Sequence, residues 1–146
     1  MALRATKYEQ HFNRSINERD AFWADEAKLI DWQTPFTQVC DFSNPPFAKW
    51  FVGGTTNLCH NAIDRHVETR GDQTALHFIS SETDVETKYT YKQMHSEVNR
   101  VAAMLQGLGV TKGDRVLIYM PMIPEAVFAM RTVASIANTA SGIIGM

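Results

Sequence analysis

The chain has 146 residues, enough for one ordinary domain that buries roughly two-thirds of the surface its unfolded form exposes. Hydrophobic residues make up 45% and charged residues 21%, which excludes a charge-rich disordered chain and points to a folded globular protein. Lys and Arg number 14 against 16 Asp and Glu, a formal net charge of -2 with no basic block, which argues against nucleic acid as a partner.

The opening MALRATKYEQHF puts charged and polar groups where a secretory signal needs an apolar run. No apolar stretch approaches the ~20 residues of a membrane helix, so no membrane association is expected. The expected compartment is the cytoplasm. Arg4 and Lys7 on an amphipathic start make the mitochondrial matrix the alternative, with Glu9 and the scarcity of serine against it. The two cysteines, Cys40 and Cys59, form neither a CxxC nor a CxxH pairing and are expected to be reduced thiols.

From Ala5 to Ile30 the residues Tyr8, Phe12, Ile16, Phe22, Trp23, Ala27 and Ile30 recur at mostly helical spacing, predicting two short helices with Asn17 as the second N-cap. From Asp31 to Thr56, Pro35, Pro45, Pro46, Gly53 and Gly54 interrupt a run of aromatic residues. This stretch predicts an irregular, extended arm laid over a larger surface, because each exposed aromatic forgoes roughly 1.5 to 3 kcal/mol of burial.

Asn57 is placed to cap a helix reaching Arg70, with Leu58, Cys59, Ala62, Ile63, His66 and Val67 on its apolar stripe and Gly71 as its stop. Thr74 to Ser80 reads as a strand, Ser81 to Glu86 as a turn, and Lys88 to Tyr91 as the returning strand. Thr90 or a neighbour begins a helix with Met94, Val98, Val101, Ala102, Leu105 and Leu108 inward, closed by Gly107 and Gly109. The turn Thr111-Lys112-Gly113-Asp114 leads into Arg115 to Met120, whose run Val116-Leu117-Ile118-Tyr119 predicts a central parallel strand buried on both faces. Pro124 opens a helix continuing to Ile136, and Ile143 to Met146 reads as the start of another buried strand. The order of elements predicts an α/β fold.

No catalytic, cofactor-binding or metal-binding residue is assigned. Gly53-Gly54-Thr55-Thr56 precedes a helix but lacks the spacing and Lys of a phosphate loop. Cys59 and His66 fall on an apolar stripe, and His60 on its polar side. His11, His77 and His95 lie on separate elements without a partner at ligand spacing. The acids Asp64, Glu68, Asp72, Glu97, Asp114 and Glu125 fit caps, turns and solvated faces. Met120 and Met122, near a strand end, form the segment best placed to face a ligand, with packing the simpler explanation.

The segments NLCHNAIDRHVETR (Asn57 to Arg70), Gly71-Asp72, Tyr89-Thr90-Tyr91 and KGDRVLIYMPMIPEA (Lys112 to Ala126) resemble the AMP-forming acetyl- and propionyl-CoA synthetases in order and spacing. RSINERDAFWADEAKLIDWQTPF (Arg14 to Phe36) and SNPPFAKWF (Ser43 to Phe51) resemble the N-terminal extension of that family, the propionyl-CoA synthetases most of all. The resemblance covers roughly residues 8 to 134 and weakens from Arg131, where Ile144-Gly145-Met146 stands in place of a Phe-Gly-Gly expected to help bind CoA.

The resemblance implies an incomplete N-terminal portion of the large domain of an adenylate-forming enzyme, with 1–56 as the extension and 57–146 as the start of the AMP-binding domain. It also implies a parent enzyme using ATP, magnesium and CoA on propionate or acetate. The phosphate loop ending in Pro-Lys-Gly, the Tyr-x-x-Thr-Glu segment, the ribose-binding Asp and the catalytic Lys of the family have no counterpart in this sequence. A chain inactive alone is therefore expected, with self-association through exposed apolar surface. The alternatives are an interaction module that pairs with a full-length synthetase or another subunit, and a self-sufficient small binding domain.

Overall fold

The computed structural model describes residues 6–137. The chain divides into two compact units, Met1–Thr56 and Asn57–Met146.

In the first unit, α1 (Lys7–Asn17) opens with a capping box. The Thr6 hydroxyl accepts from the Glu9 N–H at 3.2 Å, and the Glu9 carboxylate accepts from the Thr6 N–H at 2.6 Å, satisfying two orphan donors at once. Helix α2 (Arg19–Glu26) follows directly. Asn17 does not cap it. The Glu18 N–H donates to the Arg14 carbonyl at 2.9 Å while the Glu18 carbonyl accepts from Phe22 at 2.8 Å, so the two helical ladders meet at Glu18 and leave Asn17 as the last residue of α1. Helix α1 meets α2 through polar side chains: Arg14 pairs with Asp25 and lies 5.6 Å over the Phe22 ring, and His11 approaches that ring edge-on at 6.1 Å.

The arm expected to be irregular is a hairpin. Strands β1 (Gln38–Asn44) and β2 (Phe47–Val52) pair antiparallel with Cys40 opposite Trp50. Pro45 and Pro46 fall in the turn, where a missing N–H removes no ladder bond, so the prolines bound the strands instead of breaking them. The aromatic residues suit a pleated surface. Trp32, Phe36 and Phe51 form a mutual cluster with ring centroids 5.1 to 5.3 Å apart, and the Trp32 indole donates to the Ala27 carbonyl at 2.9 Å. The unit thus receives part of its own aromatic content, while Phe42, Phe47 and Trp50 stay exposed.

In the second unit, the helix expected from Asn57 to Arg70 is three short pieces: α3 (Leu58–Ala62), a 3-10 turn (Asp64–His66) and α4 (Val67–Arg70). Asn57 caps α3, its side-chain oxygen accepting from the His60 N–H at 3.0 Å. The break falls at Ile63 (φ -130°, ψ -63°), which reaches into the core at 3% exposure while Leu58 is turned outward. Strands β3 (Thr74–Ser80) and β4 (Val85–Thr90) form the expected hairpin, with a shorter turn than the sequence implied. Helix α5 (Tyr91–Gly107) starts from Thr90 in a second capping box with Gln93, and α6 (Pro124–Ala137) begins at Pro124. Leu108, expected inward, lies past the end of α5 and is exposed.

The core of this unit joins Cys59, Ile63, Met94, Val98 and Phe128, with Leu76, Tyr89 and Val101 packed against it. Both sheets of the described residues are two-stranded and antiparallel. The segment expected as a central parallel strand, Arg115 to Met120, has no ladder there. It keeps strand-like alternation, with Val116 and Ile118 half-buried and Leu117 and Tyr119 74% and 92% exposed. A strand apolar on both faces needs cover on both faces, and among the described residues only the Val116 and Ile118 face is partly covered. The strand expected from Ile143 lies outside the described residues.

Candidate functional site

The glycine-threonine turn after β2 is built for packing. Gly53 has φ +77°, a left-handed conformation that suits glycine. A Cβ on Gly54 would stand 2.8 Å from the Trp32 ring and 3.1 Å from the Phe51 carbonyl oxygen, so the backbone runs against the aromatic cluster. The Gly54 N–H donates to the Phe51 carbonyl at 2.9 Å, the Thr55 N–H to the Thr34 carbonyl at 3.0 Å, and the Thr56 hydroxyl to the Asp31 carbonyl at 2.7 Å. The Gly54 and Thr55 amides, which a phosphate cradle at this turn would use, are therefore committed to backbone carbonyls.

The second unit brings together three side chains that sequence spacing keeps apart. Cys59 Sγ lies 4.0 Å from Asp64 Oδ1, and His95 Nε2 lies 3.9 Å from the same oxygen. Asp64 is thus the hub of a Cys59–Asp64–His95 group, which no local motif announces because His95 arrives from α5. A nucleophilic cysteine needs a stabilised thiolate. Here burial first, and the Asp64 charge second, push the Cys59 thiol up to about 11, with Arg131 only partly opposing them. The group holds a protonated thiol in a core.

His66 packs its ring against Tyr91 with centroids 5.2 Å apart, and His77 meets Glu86 at 2.7 Å across the hairpin. Glu86 is held below its ordinary carboxylate range, first by that bond to His77 and then by Lys88. His11 lies beside Phe22 in the other unit. Asp72 pairs with Lys92 at 3.1 Å, Glu97 with Arg100, and the Asp114 carboxylate accepts from the Thr111 N–H at 2.7 Å, which keeps it below the usual range. Met120 and Met122 are exposed.

Among the described residues no group of three or more His, Cys, Asp or Glu side chains converges to hold a metal ion. No helix among them is long and apolar enough to cross a membrane. A depression between the end of α5, the 110–116 loop and α6 has a volume of about 10 Å³, room for about one water. The one buried polar residue among the described residues, Thr132, was not singled out by sequence; its hydroxyl donates to the Val98 carbonyl at 3.0 Å and ties α6 to α5.

Comparison with known proteins shows which family these packed elements belong to. The acetyl-coenzyme A synthetase N-terminus family matches residues 8–62, and the AMP-binding enzyme family matches residues 63–143. The second match runs past residue 134, so the departure from the expected pattern after Arg131 does not end the likeness to the family. Propionate–CoA ligase of Escherichia coli (strain K12) is 54% identical over 138 residues, covering 94% of this chain and 22% of that protein. Acetyl-coenzyme A synthetase of Methylobacterium radiotolerans is 49% identical over 127 residues, covering 85% of this chain and 20% of that protein. Among solved structures, acetoacetyl-CoA synthetase from Streptomyces lividans superposes with a TM-score of 0.79 at 33% identity, over 92% of this chain and 21% of that one. The mixed helix-and-strand fold is that of the corresponding part of an adenylate-forming enzyme. The chain belongs to the AMP-binding enzymes, within the group that carries the acetyl-coenzyme A synthetase N-terminus, and spans about a fifth of the length of the curated relatives it matches.

Proposed function

We propose that this chain supplies the N-terminal scaffold of a propionate–CoA ligase and is inactive without the polypeptide that follows it in its relatives. The observation that carries the reading is the 54% identity to the propionate–CoA ligases of Escherichia coli and Salmonella typhimurium, against 49% or less for the acetyl-coenzyme A synthetases compared. The extension (1–56) and the start of the AMP-binding domain (57–146) would provide packed elements on which the reaction centre is assembled.

In the complete enzyme the propionate oxygen attacks the α-phosphorus of ATP, releasing pyrophosphate and leaving propionyl-adenylate. The CoA sulfur then displaces AMP from the acyl carbon. Magnesium would accompany ATP, and all three would be held by downstream residues, because the phosphate-loop, ribose and lysine motifs have no counterpart here. The net charge of -2 and the absence of a basic block support a small-molecule pathway with no nucleic acid. Exposed apolar side chains such as Tyr8, Phe47, Leu117 and Tyr119 support self-association of the chain when it is alone.

The test is propionate-dependent AMP formation by the purified chain, and by the chain joined in frame to the downstream four-fifths of the Escherichia coli ligase. The first is expected to be silent and the second active. Turnover by the chain alone, or a soluble but inactive fusion, would overturn the reading.

A further inference from the structure

We draw no further inference here: the strongest candidate, the exposed apolar stripe of Tyr8, Phe12 and Ile16 along α1 in the first unit, carries none because nothing in the structure shows what covers it.

Discussion

The Thr132 hydroxyl, with no exposed surface, donates to the Val98 carbonyl at 3.0 Å and joins α6 to α5 across the core of the second unit. The α5 ladder also uses that carbonyl, so losing the hydroxyl would leave no unpaired acceptor at Val98. Thr132→Val is predicted to cost about 1 kcal/mol in urea unfolding, the ordinary net contribution of a hydrogen bond. Thr132→Ala should cost more, because it also opens a gap beside Val98. A neutral Thr132→Val would show that the bond adds nothing to the packing.

Two glycines should respond to alanine with opposite signs. Gly71 (φ -55°) has a backbone that any residue adopts, and there Gly→Ala ordinarily stabilises. An added Cβ would clash with the Val67 carbonyl oxygen and stand 2.7 Å from Lys92 Cε, so Gly71→Ala is predicted to destabilise by about 1 to 3 kcal/mol. A Cβ on Gly107, the last residue of α5, would meet nothing within 4 Å among the described residues, and Gly107→Ala should stabilise by roughly 0.5 to 1 kcal/mol. Thermal melts of the two variants decide the matter.

The Cys59 thiol should resist alkylation. It is 2% exposed and, pushed up to about 11 by burial and then by Asp64, is protonated at neutral pH. Iodoacetamide at pH 8, followed by peptide mass spectrometry, should leave Cys59 unlabelled until denaturant is added. Because its folded value is raised, the stability it contributes is whole below the ordinary thiol range and is lost as pH rises toward about 11. Rapid labelling of folded protein would contradict the core placement.

Asp25 gives the opposite sign. Its carboxylate is bonded to Lys28 at 2.8 Å and to Arg14, which lower it from 3.8 to about 2, Lys28 having the larger effect. The stability it contributes is present above the ordinary carboxylate value and lost as pH falls toward about 2. The group is exposed, so solvent screening keeps that contribution small. NMR titration should place its midpoint near 2, and Lys28→Ala should raise the midpoint more than Arg14→Ala. A midpoint near 3.8 in the parent chain would remove the interaction.

The readable parts of the fold were those fixed by neighbours in sequence. Thr90 with Gln93, Asn57 and Pro124 act at helix starts within a turn of their partners, and β3 and β4 meet across a short polar turn. The β1–β2 hairpin was hidden because proline is a breaker inside a strand and a fitting residue in the turn between two, and composition does not say which. The helix from Asn57 broke because Ile63 reaches the core only by leaving the helical path. Val116 to Tyr119 reads as a buried strand because its composition matches one, although the partners that would bury it are not among the described residues. Asp64 as a hub between Cys59 and His95, and Thr132 as a tie between helices, depend on tertiary contacts with no local signature.

Acyl preference tests the scaffold account most directly. This chain can be joined to the downstream four-fifths of the Escherichia coli propionate–CoA ligase and, separately, to that of the Methylobacterium radiotolerans acetyl-coenzyme A synthetase, and kcat/KM for propionate and acetate measured for both. The account predicts that preference follows the downstream part, with each fusion matching its parent. A preference that follows this chain into both fusions would place substrate selection within these residues and contradict a purely scaffolding role.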